Sequence, residues 1–194
     1  SVSYLYYADR LVQFPLGIFA ISTSVAILPS LSRQAAAGDL DALSDTFAYA
    51  MNLILFITVP AMIGLIVLRE PLVGVLFRRG EFDMESVRLT AYALFHYSVG
   101  LWAFSAVRIV VSTFYAIQDT KTPVKMATYS IIANIGLGVI LMGPFQHGGL
   151  ALATSLASII NLILLTAVLQ RRLGGLYWKK IVVSVAKTMV SSVI

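Results

Sequence analysis

Arg10, in the string Tyr6-Tyr7-Ala8-Asp9-Arg10-Leu11-Val12-Gln13-Phe14-Pro15, stands near the start of an apolar run long enough to cross a bilayer. A guanidinium stays protonated and presents its donors as a rigid planar fork, so its chemistry is the recognition of anions such as carboxylates and phosphates. Within a membrane it has two options. It snorkels to the headgroups, or it faces a wet interior that holds an anion. On an ideal helix Arg10, Gln13, Gly17 and Ser24 fall within about a quarter of the circumference, a single polar stripe on a surface of Leu, Val, Ile and Phe. The stripe favours a cavity-facing arginine, whereas Tyr4, Tyr6 and Tyr7 resemble an interfacial aromatic belt and favour snorkelling. Both readings stand on the residues alone. Pro15 predicts a kink just beyond the charge.

A second candidate cation is Arg108, which shares a face with Ser98, Ser105 and Ser112 on a later apolar run. It is either another cationic group of a cavity or a snorkelling residue, since it precedes the polar turn at Asp119 by roughly 15 Å at 1.5 Å per residue. Asn134 with Gly138, and Thr154 with Asn161, read as the small and polar residues that let membrane helices pack closely. A cation site there would lack a carboxylate. His96 and His147 are too far apart for the i, i+4 pair of a zinc helix, and no cysteine could complete a metal site. His147, in a Gly-rich turn, reads as a solvated loop residue, and His96 as a helix-packing hydrogen bond and not a proton relay. With no phosphate-binding Gly loop and no nucleophile elbow, the sequence offers no enzyme signature and implies no cofactor.

These residues need apolar elements to position them, and the composition supplies them. The 194 residues are 59% hydrophobic and 12% charged, with a mean hydropathy of +0.88. That balance identifies an all-α, polytopic transmembrane helix bundle. The net charge of +5 sits in short loops between apolar runs and not on a soluble face, which argues against nucleic acid as a partner. A crossing needs about 20 mostly apolar residues, and six stretches provide or begin one: 5–31, 47–68, 87–117, 124–142, 150–169, and a sixth starting near 181. Ser44 is a candidate N-cap for the second, and Pro60 predicts a bend in it. Residues 69–83 are too short to cross and read as an interfacial amphipathic helix stopped at Gly80. Gly143-Pro144 ends the fourth span, and Pro123 suits the first turn that starts it. No signal peptide stands at the start, and an apolar stretch runs to Ile194, so the chain reads as a piece of a longer protein.

The strings YYADRLVQFPLGIF, AILPSLSR, LFRRGEFD, YSVGLWAF, FYAIQDTKTPVK and GGLALATSL, in this order and spacing, closely resemble the MurJ (MviN) family of lipid II flippases, part of the exporter superfamily that includes the MATE transporters. The resemblance covers essentially the whole chain. It implies a stretch of the C-terminal lobe of a MATE-like fold, with residues 1–180 forming that lobe without its first helix and 181–194 opening a further transmembrane helix. It also implies a missing N-terminal lobe of the same protein as a partner, and the bacterial cytoplasmic membrane as the location. The implied substrate is lipid II, a polyprenyl diphosphate carrying a disaccharide pentapeptide, moved by alternating access through a cationic cavity. The arginine of the YADR motif, here Arg10, belongs to that cavity in the family, and Gln13 stands where some members carry Glu. The residues thus nominated for substrate are Arg10, Gln13 and Arg108. A drug or polysaccharide-lipid exporter of the same superfamily, or a non-transporting membrane scaffold, are the alternatives.

Loop charges orient the bundle. Turns after the first, third and fifth spans carry Arg33, Lys121, Lys125, Arg171, Arg172, Lys179 and Lys180, and an excess of Lys and Arg marks the cytoplasmic side. Thr120→Cys should therefore resist an impermeant thiol reagent added to intact cells, while Gly80→Cys should react. Labelling of Thr120→Cys from outside would invert this topology.

Overall fold

The computed structural model describes residues 2–77 and 82–173, all of it helices and turns. The first membrane crossing is α1 (Val2–Pro15), a π-helical segment (Leu16–Ile21) and α2 (Ser22–Ala36) in continuous succession. Pro15 has no N–H to give and its ring crowds the preceding turn, and the chain responds by widening the next turn instead of breaking. One extra residue per turn rotates everything downstream by about 100°. Ser24 is consequently carried off the expected polar stripe: it is buried and donates to the Ile21 carbonyl at 2.8 Å.

Gly38, at φ 71°, closes α2 in the left-handed conformation that costs a glycine nothing. Asp39 then caps α3 (Leu40–Val67), its Oδ1 accepting from the Ala42 N–H at 2.9 Å. The cap is Asp39 and not Ser44, which lies inside the helix, buried, with its Oγ unpaired. α3 runs unbroken through Pro60. The short helix expected after it exists as α4 (Arg69–Phe77), about 14 Å long by its rise per residue. It buries Val73 and stacks Phe77 on Tyr7 at 4.8 Å. The expected stop at Gly80 and the sixth span lie outside the described residues.

The third crossing departs from the expected single helix. It is α5 (Met84–Ser98) and α6 (Leu101–Ala116), bent by 42° at a break between them. Gly100 N–H bonds to the Tyr97 carbonyl at 3.1 Å, leaving the His96 carbonyl without its helical donor. Ser155, from the last helix, supplies one: its Oγ donates to the His96 carbonyl at 2.7 Å. The approach is so close that a Cβ on Gly100 would lie 2.6 to 2.8 Å from Ser155 atoms, backbone Cα included. Gly100 is required here for proximity and not for an unusual dihedral.

α7 (Lys121–Leu173) holds 53 helical residues but folds back at Gln146, where φ is 50° and ψ −129°. Its arms, 121–145 and 147–173, are antiparallel and pinned by Ser130 Oγ donating to the Ala157 carbonyl at 2.7 Å. At the fold-back a Cβ on Gly149 would strike the Leu141 carbonyl at 2.2 Å, and one on Gly148 the Tyr92 ring at 2.3 Å. His147 is therefore not a solvated loop residue. It is half-buried between Tyr4 and Tyr92, its Nε2 3.1 Å from the Leu89 carbonyl. His96 is buried as well, with Nδ1 2.8 Å from the carbonyl of Tyr92 one turn back in its own helix.

Three helices among the described residues, Ser3–Ala36, Leu40–Val67 and Lys121–Leu173, are long and apolar enough to cross a membrane, and the bent α5–α6 pair is a fourth. With α7 folded in two, the described chain makes five crossings. One buried cluster joins α2, α3, α6 and the second arm of α7 through Leu31, Leu43, Ile54, Ile109, Phe114 and Leu165. A second, around Ala8, Val12, Val73, Val87 and Leu94, joins α1, α4 and α5. At the end carrying the first cluster, Asp119 accepts from the Thr122 side chain at 2.7 Å and backbone at 3.0 Å, and Arg172 lies 3.1 Å away. Those hydrogen bonds, chiefly, and the guanidinium behind them hold its carboxyl below the usual carboxylate range.

Replacing Gly100 by Ala should destabilise the bundle by about 1 to 3 kcal/mol, as overpacking against backbone does, while Gly136→Ala, with open space around its position, should not. Thermal melting of the purified variants in detergent checks this, and equal melting temperatures would refute the close contact.

Candidate functional site

The widened turn after Pro15 lies opposite α6 and both arms of α7, and two cavities open between them. One of about 400 Å³ is bounded by Asp9, Gln13, Gly17, Ile21, Arg108 and Thr154. The other, about 280 Å³, reaches Ser130, Asn134, Ser158 and Asn161. They share Leu16, Phe104, Arg108 and Thr154, so they lie side by side as two parts of one recess, with Arg108 on the wall they have in common. The serines predicted to share its face turn elsewhere: Ser98, Ser105 and Ser112 are buried, the first two donating to the Leu94 and Leu101 carbonyls at 2.7 and 2.9 Å. Polar side chains that bond their own backbone cost the core little. Arg108, exposed on the other side, has no ion-pair or hydrogen-bond partner among the described residues.

Arg10 lines neither cavity. It is exposed, with a guanidinium nitrogen donating to the Tyr6 hydroxyl at 2.9 Å and its Cζ 5.0 Å from the centre of the Tyr6 ring. Gln13, one turn on, does reach the recess, and its amide Nε2 donates to Asp9 Oδ2. Of the three nominated residues, the fold brings Gln13 and Arg108 together and leaves Arg10 beside them on the outer face of α1. Asn134, Thr154 and Asn161, predicted as packing residues, converge on the cavity of about 280 Å³. The Oδ1 of Asn161 is buried with no protein donor.

Asp9, Tyr97 and Phe104 were not singled out from the sequence. Asp9 is half-buried at the cavity wall, and Tyr97 sits beside Thr154 within electrostatic reach of it. An acid inside a membrane-length apolar run was the available signal, because a carboxylate there is costly without a task. Chemically the recess presents a permanent cation, one carboxylate and several amide and hydroxyl groups in an apolar frame, which suits binding and orientation of a polar ligand. Among the described residues no group of His, Asp and Glu could hold a metal ion.

The family model described as lipid II flippase MurJ matches residues 1–194. A probable lipid II flippase MurJ from Vibrio cholerae is 43% identical over 169 residues, covering 85% of this chain and 31% of that protein. Its counterpart from Bdellovibrio bacteriovorus is 35% identical over 176 residues, 91% of this chain and 34% of that protein. A solved structure titled lipid II flippase MurJ in an inward closed conformation aligns with a TM-score of 0.84 at 29% identity, over 99% of this chain and 39% of that one. The chain spans about a third of the length of the curated relatives it matches.

If the recess is wet, cysteines at positions 13 and 108 should react with a water-soluble thiol reagent, and one at the buried Ser105 should not. Equal labelling of all three would mean that the cavity has no distinct access.

Proposed function

The chain belongs to the MurJ family of lipid II flippases, and from that membership we propose that it is a C-terminal-lobe portion of a protein that moves lipid II across the bacterial cytoplasmic membrane. In this reading residues 1–180 form most of that lobe, 181–194 begin a further transmembrane helix, and an N-terminal lobe of the same protein completes the cavity. The observation that carries the proposal is the Arg108 guanidinium, without a partner among the described residues, on the wall shared by two polar cavities between membrane-length helices. A guanidinium that lines a recess without a protein partner among the described residues is stabilised by an anionic ligand, and a diphosphate supplies that charge.

Arg10 serves the same substrate from the rim. Its contact with Tyr6 is a single exposed hydrogen bond, readily exchanged for phosphate oxygens. Gln13, which lines the recess together with Arg108, contributes a neutral amide. Transport by alternating access needs helices that change shape without leaving backbone groups unsatisfied. The π segment after Pro15, the break before Gly100 and the reversal at Gln146 are the places where this lobe has such freedom.

The test is Arg10→Lys in the full-length parent, which keeps the charge and loses the fork. A bidentate diphosphate contact predicts that cells depleted of their native flippase are not rescued by the Lys or Ala variants at wild-type membrane levels, because about 1.5 to 3 kcal/mol of charge-assisted bonding is lost. Full rescue by Arg10→Lys would leave only a snorkelling or diffuse-field role.

A further inference from the structure

We propose that Asp9 is the receptor for an ammonium group of the ligand, so that the recess recognises opposite charges at two points: an anionic group at Arg108 and an amine at Asp9. The inference rests on the lipid II reading above, since it assigns the amine to the peptide of that substrate.

Asp9 and Arg108 bound the same cavity of about 400 Å³, yet they form no ion pair with each other. Asp9 has no cation within ion-pair distance among the described residues. Arg10, its neighbour in the chain, is engaged with Tyr6 on the outer face. What Asp9 does have is the neutral Gln13 amide, which donates to Oδ2. One bond from an amide fixes the carboxylate's direction and leaves most of its acceptor capacity unused. A cavity that keeps two opposite charges apart, each without a countercharge among the described residues, is complementary to a ligand carrying both signs.

The surroundings select the kind of cation. Phe104 lines the cavity and Tyr97 stands within electrostatic reach of Asp9 beside Thr154. A carboxylate in a cavity that also presents an aromatic ring and a hydroxyl suits a primary ammonium, which donates charge-assisted hydrogen bonds to the carboxylate and can meet a ring face on its other side. A metal cation would need several oxygens at short range, and Asp9 is the single carboxylate lining either cavity. A purely anionic ligand would be repelled by Asp9. The ligand class that fits is an anionic lipid whose headgroup carries a free amine, as a peptide side chain does.

The experiment measures binding of lipid II, and of lipid II with its peptide amines acetylated, to the full-length protein in nanodiscs. Wild type should bind the acetylated form about tenfold or more weakly, the size expected for a lost charge-assisted bond. Asp9→Asn, which keeps a partner for Gln13, should bind native lipid II that much more weakly and show no further loss on acetylation. Equal affinity of wild type for both forms overturns the proposal, and so does an acetylation penalty that survives in Asp9→Asn. The wild-type comparison needs no variant, so a poorly folding Asp9→Asn does not shield the idea. Affinity that depends on sodium and not on the amine overturns it in favour of a metal cation. If wild type binds neither form, the lipid II reading fails and takes this proposal with it.

Discussion

A backbone carbonyl released inside a bilayer has no water to bond, so an irregularity in a membrane-spanning helix depends on a donor supplied by the protein itself. The contact of Ser155 with the His96 carbonyl is the clearest case. It lets α5 and α6 bend by 42° within the membrane, and it fixes the second arm of α7 at the bend. That arm carries Thr154, Ser158 and Asn161, while α6 carries Phe104 and Arg108. The walls of the recess are thus held in register by one hydroxyl and by the glycine that lets it approach.

The other irregularities obey the same constraint by different means. After Pro15 the helix widens into a π turn and keeps its backbone bonds local. At Gln146 the reversal is sealed by close contact of Gly148 and Gly149 with Tyr92 and Leu141, and by His147 against the Leu89 carbonyl. Each device sits between rigid arms packed through small residues, Ala, Ser and Gly, as expected where lipid removes the hydrophobic drive between helices. Stiff segments joined at satisfied breaks can change their mutual angle without exposing a polar backbone.

Charge follows a parallel rule. Arginines at the helix ends find partners of their own, as Arg172 meets Asp119 and Arg69 donates to the Ile66 carbonyl. Inside the span, Asp9 and Arg108 are held on separate helices facing a common space. Burying small hydroxyls against their own backbone keeps the rest of the core neutral.

The sequence by itself determined the class of the protein, because apolar runs of membrane length, with polar turns between them, admit few structures other than a helix bundle. It also placed the first five spans approximately, the polar turn before Pro123 and the family strings, all of which are local in the chain. Only the tertiary structure decided which polar residues meet. An ideal helical wheel put Ser24 with Arg10 and Gln13, but a single widened turn carried Ser24 into the core. The run 87–117 read as one long helix, since the break arises from Ser155, distant in the chain, and Gly100 alone does not announce its partner. His147 read as loop because nothing nearby in sequence foretold Tyr4 and Leu89. Arg108 and Asp9 lie on helices whose facing sides are set by packing across the bundle, and so their shared cavity was invisible until the helices were assembled.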